Sequence, residues 1–184
     1  MRVISGKFKG RKLSCADGKT TRPTMDFIKE AMFSIVYDFT GKQVLDLYAG
    51  SGSLGIEALS RGASSVDLVE FSSKAIKEIF NNLETIKCGN EIKVKKKKVD
   101  SYLKKCEKKY DVIFADPPYQ KNLINKTLRL ILEHQLLAKD GIVILEHHPF
   151  EKIETQGLEK YTIVSKKYSK CNITTVSGGN NENI

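Results

Sequence analysis

Short apolar runs alternate along the chain with longer stretches in which apolar residues recur every three or four positions. The short runs predict strands, and the longer stretches predict helices that pack on a sheet. The predicted strands cover residues 43–48, 65–70, 91–99, 112–115, 141–145, 161–168 and 172–176. Strands that alternate with helices indicate an α/β, Rossmann-like fold with helices on both faces of the sheet. The last two strands predict an antiparallel hairpin that closes the sheet.

Each predicted helix carries one apolar stripe, which we interpret as core. Thr24 is the expected N-cap of the first helix. A glycine-rich turn precedes another helix over about residues 54–61, which ends at Gly62. The stripes are Ile28, Met32, Ile35, Val36 and Phe39; Ile76, Ile79, Phe80 and Leu83; and Ile124, Leu128, Ile131, Leu132 and Leu136.

Apolar and basic residues alternate over residues 2–14, around Gly6 and Gly10. This pattern predicts a two-stranded hairpin with its turn at residues 7–10. Its exposed basic residues are Arg2, Lys7, Lys9, Arg11 and Lys12. They form either a solvated surface or an arm that contacts phosphates, and we favour the arm. Arg22 could hold a phosphate or form a surface salt bridge.

The length of 184 residues predicts one domain, with residues 1–40 as an extension, 41–176 as the core and 177–184 as a disordered tail. A net charge of +9 favours a polyanionic partner such as nucleic acid, although lysine enrichment from an AT-rich genome would give the same charge. The four cysteines form no close pair and the histidines lack metal-ligand spacing, so we expect a cytoplasmic protein without metal. No apolar run is long enough to span a membrane.

The candidate active site is the run Asp116-Pro117-Pro118-Tyr119 at the end of an apolar strand. Prolines fix the backbone and lack an N–H, so this segment presents carbonyl acceptors beside the carboxylate. A carboxylate, a carbonyl and an aromatic ring suit the exocyclic amino group of a nucleobase that stacks on the ring. The alternative is an ordinary turn, since Asp-Pro and Pro-Pro are common in loops.

A nucleotide-type pocket is predicted where a strand, a glycine-rich turn and a helix follow one another. Gly50, Gly52 and Gly55 match the spacing G-x-G-x-x-G, and Glu70 ends the next strand, where an acid can bind ribose. Asp46 would repel the pyrophosphate of a dinucleotide but attract the ammonium and sulfonium of S-adenosylmethionine. The alternative for Asp46 is a helix cap. Asp100 and Ser101 follow a lysine-rich strand, predicted to lie at a sheet edge, and could accept from an adenine amino group.

These motifs resemble those of the bacterial small-subunit ribosomal RNA guanine-N2 methyltransferases, the RsmD family. The resemblance rests on residues 44–63, on 116–119, on the opening 1–13 and on 22–24, and it spans nearly the whole chain. It departs at residues 168–172, where the family shows Tyr-Gly-Asp-Thr, so the resemblance implies no role for that turn.

The resemblance implies a class I methyltransferase sheet of seven strands, the last antiparallel. It implies that Asp116, Pro117 and Tyr119 are catalytic. The implied S-adenosylmethionine-binding residues are Asp46, Tyr48, Ala49, Gly50, Gly52, Glu70, Phe71, Asp100 and Ser101. The implied reaction is 16S rRNA guanine(966)-N2 methylation by a monomer that acts on 16S rRNA or the small ribosomal subunit. An adenine-N6 methyltransferase on DNA or RNA is the alternative, and a nicotinamide-dependent oxidoreductase or a non-catalytic RNA-binding module ranks below it.

Overall fold

The structure is a computed structural model of the chain that describes residues 1–15, 23–118, 123–168 and 170–178. Its helices are α1 (Pro23–Ser34), α2 (Ser53–Ser60), α3 (Ser73–Ile86), α4 (Val99–Leu103) and α5 (Leu123–Glu133). Its strands are β1 (Gln43–Leu47), β2 (Ser65–Glu70), β3 (Ile92–Lys96), β4 (Tyr110–Ala115), β5 (Leu137–His147), β6 (Tyr161–Lys167) and β7 (Asn172–Gly178). The helices and strands that the apolar pattern predicts are therefore present, with shifted ends.

The strands form one sheet in the order β3-β2-β1-β4-β5-β7-β6. Neighbouring strands from β3 to β5 pair in parallel, whereas β7 is antiparallel to both β5 and β6. The predicted sheet of seven strands with an antiparallel last strand is confirmed. The lysine-rich β3 lies at an edge of the sheet, as its charge predicted.

Two apolar clusters cover the two faces of the sheet. Alternate strand residues such as Val112 and Phe114 join α1, α2 and α3 in one cluster, whereas Ile113 and Ala115 join α4 and α5 in the other. This division follows from the two-residue period of a strand, which points successive side chains to opposite faces. The first face carries the acids described below.

The N-terminal segment is anchored on α2 through the buried carboxylate of Glu57. The backbone N–H groups of Ile4 and Ser5 donate to this carboxylate at 2.8 and 2.9 Å. Lys29 and Arg61 form ion pairs with it, both at 2.9 Å. Residues 1–13 are thus fixed against the core as part of the domain.

Several local predictions are wrong. Thr24 lies inside α1, which begins at Pro23, so it is not the N-cap; a proline suits the first helical position because it has no N–H to leave unpaired. The helix ends at Ser34, before the last members of its predicted stripe, although Phe39 is buried. Phe80, predicted to face the sheet, is 55% exposed on α3.

The predicted N-terminal hairpin is also reduced, to a single antiparallel bridge between Arg2 and Lys12 with turns between them. Ser177 and Gly178, which we assigned to the disordered tail, belong to β7 and extend the pairing with its neighbours. The rest of the tail, 179–184, lies outside the described residues. Sequence patterns locate elements well but place their ends within a few residues only.

Candidate active site

The carboxyl ends of the parallel strands bring four acids to one edge of the sheet. Glu70 ends β2, Asp46 is the last residue but one of β1, Asp116 follows β4, and Glu146 is the last residue but one of β5. Because β1 lies between β2 and β4, and β4 between β1 and β5, these acids are neighbours along the edge. Ligands of open α/β sheets bind at this edge.

Asp46 is 1% exposed, and its carboxylate accepts one hydrogen bond from the Gly55 N–H at 2.9 Å. Burial, together with the nearby charge of Glu70, raises the pKa of Asp46 to about 7 in spite of that hydrogen bond. Among the residues that the structure describes, no lysine or arginine forms an ion pair with it. A buried acid of this kind is suited to a cationic ligand.

Glu70 organises the glycine-rich turn. Its carboxylate accepts the N–H of Gly50 at 2.9 Å and those of Phe71 and Ser72 at 2.7 Å each. A carboxylate offers about four acceptor sites, so these three bonds leave room for one ribose hydroxyl. Gly52 adopts φ +77°, and an added Cβ would lie 3.1 Å from the Leu68 side chain, so the turn requires glycine here.

A cavity of about 440 Å³ opens beside Glu70 at the same edge. Four of the predicted cofactor-binding residues line it, namely Tyr48, Glu70, Phe71 and Asp100. Asp100 accepts the Ser101 N–H at 2.8 Å and pairs with Lys126 at 3.1 Å. The pKa of Asp100 is lowered mainly by its hydrogen bond from Lys126. This carboxylate is therefore an ionised acceptor at neutral pH.

The remaining predicted cofactor residues lie around this cavity without lining it. Ala49 donates its N–H to Val69 at 3.1 Å and accepts from Gly52 at 2.7 Å, which closes the turn between β1 and α2. Ser101 is exposed on α4, one residue past the cavity wall. The structure therefore brings the predicted residues together in two groups, the turn with Asp46 and the cavity with Asp100.

Asp116 stands directly beyond β4, followed by the buried Pro117 and the exposed Pro118. The atoms packed around its carboxyl raise the pKa of Asp116 well above its usual value, and the charges of Glu146 and Asp46 add to this rise. The residue nevertheless has an exposed surface, so water limits the size of these effects. Tyr119, the predicted stacking ring, lies outside the described residues.

The predicted RNA-contacting residues Arg2, Lys7, Lys9, Arg11 and Lys12 are all exposed. Lys7 pairs with Glu91, just before β3, at 3.6 Å, and its N–H donates to Ser60 at the end of α2. Both contacts lie at the amino edge of the sheet, opposite the acids. An RNA that reached these lysines and Asp116 would therefore have to extend along the side of the domain. Arg22 lies outside the described residues.

Three residues near the site were missed by the sequence reasoning. Glu146 directly follows an apolar run of its strand. An acid in this position also marks Glu70 and Asp116, so the same signal could have identified Glu146. Lys98 and Lys126 line the cavity, but nothing in their local sequence separates them from the many other lysines. Lys98 lies over the Phe71 ring at 5.4 Å, a cation–π contact that orients this wall.

The donor set fits S-adenosylmethionine. Asp46 offers a buried negative charge without an internal cation, Glu70 keeps one acceptor site, and the cavity has an aromatic wall at Phe71. Within residues 1–15, 23–118, 123–168 and 170–178, no three His, Cys, Asp or Glu side chains are placed to hold a metal ion. In the same part of the chain no helix is both long and apolar enough to cross a membrane.

Comparison with known proteins agrees with the fold. A Bacillus subtilis protein, YlbH, whose name carries a provisional assignment as an rRNA methyltransferase, is 42% identical over 85% of this chain and 88% of its own. The Escherichia coli ribosomal RNA small subunit methyltransferase D is 34% identical over 79% of this chain and 74% of its own. A structure from Escherichia coli with a provisional methyltransferase name, YhhF, superposes with a TM-score of 0.84, at 27% identity and 97% coverage of both chains.

These comparisons confirm the predicted Rossmann-like methyltransferase fold and the predicted family. Residues 1–177 match the family described as "Conserved hypothetical protein 95". Because the match covers almost the whole chain and the relatives are similar over most of their length, the chain belongs to this family, the RsmD family of bacterial ribosomal RNA methyltransferases.

Proposed function

We propose that this protein methylates the exocyclic N2 of a guanine in small-subunit ribosomal RNA, with S-adenosylmethionine as the methyl donor. The observation that carries the proposal is the position of Asp116 and Pro117 at the tip of β4, beside the buried Asp46 on the adjacent β1. The family supports the reaction class, and the E. coli relative is named for the small-subunit rRNA. Position 966 is what the family resemblance implies.

The residues at the edge of the sheet have two proposed roles, to bind the cofactor and to bind the target nitrogen. S-adenosylmethionine supplies a methyl group bonded to a positively charged sulfur. Asp46 would hold its methionine end, Glu70 its ribose and Asp100 its adenine, since a buried or ionised carboxylate is the acceptor that each of these groups needs. Glu70 also holds the backbone of the glycine-rich turn against the end of β2, because its carboxylate accepts the Gly50 N–H.

Asp116 and the Pro117 carbonyl would accept the two N–H bonds of the target nitrogen. Hydrogen bonds accepted out of the plane of the base draw the nitrogen toward tetrahedral geometry, which frees its lone pair to attack the methyl carbon. The carbon–sulfur bond breaks as the carbon–nitrogen bond forms, and the nitrogen then releases one proton. Asp116 has a raised pKa and so is able to receive that proton. Positioning of the two reactants supplies most of the rate enhancement.

The first experiment is transfer of labelled methyl from S-adenosylmethionine to small ribosomal subunits that lack the modification, to their naked RNA and to plasmid DNA. Nucleoside analysis then identifies the product. N2-methylguanosine from a ribosomal substrate supports the proposal. Methyladenine in any substrate would instead favour the adenine-N6 alternative, and transfer to none of them would contradict the proposed substrate.

The catalytic assignment is tested by Asp116→Ala. We expect a loss of turnover of at least about 100-fold, because the nitrogen loses its main acceptor, with RNA affinity close to wild type. Filter binding and single-turnover kinetics separate the two quantities. A variant that still methylates at the wild-type rate would show that Asp116 does not hold the target nitrogen.

The exposed basic residues of the N-terminal segment are proposed to contact RNA phosphates. Lys9→Ala should weaken RNA binding for every sequence and reduce the slope of log affinity against log salt by about 1, since one phosphate contact is lost. Lys139→Ala, on the amino-terminal part of β5, is the matched control for a change of one charge. An unchanged slope for Lys9→Ala would leave that residue as part of a solvated surface. A monomeric state and a cytoplasmic location remain predictions.

A further inference from the structure

Glu146 lies beside Asp116 at the carboxyl edge. The parallel register of β4 and β5 pairs Phe114 with Ile144 and Ala115 with Leu145, so the next step along the two strands brings Asp116 opposite Glu146. Neighbouring strands are about 4.8 Å apart, which is close enough for both side chains to reach one base. The charge of Glu146 is also one of the causes that raise the pKa of Asp116.

The two acids point to the same face of the sheet. Phe114 and Ile144, two residues earlier on each strand, both belong to the cluster covered by α1, α2 and α3. Since strand side chains alternate with a period of two, Asp116 and Glu146 continue on that face. They therefore present a pair of acceptors side by side, on the face that also carries Asp46.

A chain of contacts holds Glu146 in this position. The Cys171 thiol donates a hydrogen bond to Glu146, and this bond, after burial and the carboxylate's charge, raises the pKa of Cys171 to about 12. The N–H of Tyr168 donates to the Cys171 carbonyl at 2.8 Å, and the Tyr168 ring packs edge-on against Phe27 at 6.0 Å. Phe27 is 57% exposed, so this chain of contacts ends at an accessible aromatic ring on the surface.

The chemistry of the bases distinguishes what such a pair can accept. The Watson–Crick edge of guanine carries the N1–H donor directly beside the N2 amino group. Adenine presents an acceptor at N1, whose lone pair would face a carboxylate and be repelled. An enzyme that splays out its target base reads it by hydrogen bonds to this edge.

We propose that Glu146 is the residue that selects guanine, by accepting the N1–H while Asp116 accepts the neighbouring N2 amino group. This inference rests on the proposed function and adds the residue that separates guanine from other amino-bearing bases. Two carboxylates side by side repel each other, and an edge with two adjacent donors offsets that repulsion. Glu146 is thus a specificity-determining residue in contact with the substrate.

The test replaces the target guanine by 2-aminopurine, which keeps the N2 amino group but has an acceptor at N1. Small-subunit RNA is assembled with either base at the nucleotide that the wild-type protein methylates, and kcat/KM is measured for both. We expect the wild type to favour guanine by at least about 10-fold. In Glu146→Gln the amide can donate to N1 of 2-aminopurine. The ratio of kcat/KM for guanine to kcat/KM for 2-aminopurine should therefore fall by at least about 10-fold.

Controls separate base selection from folding and from the proposed function. Glu146→Gln should keep the wild-type melting temperature and affinity for S-adenosylhomocysteine, and Glu107→Gln, an exposed glutamate before β4, should keep the wild-type ratio. Glu146→Ala, which removes the acceptor altogether, should bring the ratio close to 1. If the ratio of kcat/KM for guanine to kcat/KM for 2-aminopurine is unchanged in Glu146→Gln, the inference is overturned. A wild-type protein that methylates no guanine would instead overturn the proposed function.

Discussion

Asp46 and Glu57 are both buried acids, Asp46 in contact with α2 and Glu57 on that helix, but their surroundings differ. Glu57 receives two backbone N–H bonds and pairs with Lys29 and Arg61, so the protein itself satisfies its charge. Asp46 receives one N–H bond, from Gly55, and its pKa is raised to about 7. We infer that a carboxylate satisfied from within stabilises the fold, whereas one left without a cation is available to a ligand.

The largest expected effect is on the Glu57 network. Glu57→Ala leaves Lys29 buried without its partner, and burial already lowers the pKa of Lys29. Removal of one partner from a buried ion pair costs about 3–5 kcal/mol in the free energy of unfolding. Urea denaturation measures this loss, and the double variant Glu57→Gln with Lys29→Met should recover part of it. A loss below about 1 kcal/mol would show that Glu57 is not the structural acid of this pair.

The pH dependence of stability should distinguish the two acids next. The pKa of Asp46 is about 7 when folded and 3.8 as the ordinary value, so the folded state binds more protons between these values. Its contribution to the free energy of unfolding therefore falls as pH rises from about 4 to about 7, by at most about 4 kcal/mol. Asp46→Asn lacks this titration, so its stability relative to wild type should rise steadily from about pH 4 to about pH 7 in urea denaturation of the ligand-free protein. A difference between the two proteins that is independent of pH would contradict the raised pKa.

Ligand binding should follow the opposite pattern from stability. Asp46→Asn should lower the affinity for S-adenosylhomocysteine by about 100-fold or more, because a buried charge that meets a cation is lost. Asp67→Asn is the matched control, since Asp67 is a buried strand aspartate that already pairs with Lys108 at 2.8 Å. Calorimetry measures both affinities. Equal losses in the two variants would mean that the effect is structural and that Asp46 has no direct role.

The smallest effect concerns the segment that Glu57 anchors. Gly6 and Gly10 both have positive φ, +80° and +83°, but an added Cβ would lie 1.8 Å from the Ser60 carbonyl oxygen only at Gly6. Gly10 has no atom within 4 Å of that position. Gly6→Ala should therefore lower the free energy of unfolding by about 1–3 kcal/mol more than Gly10→Ala does. The loss in Gly10→Ala reports the backbone strain alone. Thermal unfolding of the two variants compares them, and equal losses would show that the segment does not need this close docking.

The sequence by itself determined the order of the elements and marked a candidate ligand site. The apolar periods located all seven strands, since the residues that must be buried repeat every two or about every 3.6 positions whatever their partners are. Acids at or near the ends of apolar runs marked Asp46, Glu70 and Asp116 as candidates, because ligands of parallel sheets bind at the carboxyl ends of the strands. These signals are local and need no knowledge of the partner strands.

Only the tertiary structure decided which acids lie together at the candidate site and which are neutralised by the protein. Glu57 reads as an ordinary polar residue of a helix, yet Lys29, Arg61 and the segment at Ile4 converge on it from three parts of the chain. Glu146 becomes a neighbour of Asp116 through the pairing of β4 with β5, thirty residues later in the chain. Burial and charge pairing depend on such long-range contacts, so no local pattern could have separated the structural acid Glu57 from the candidate site acids.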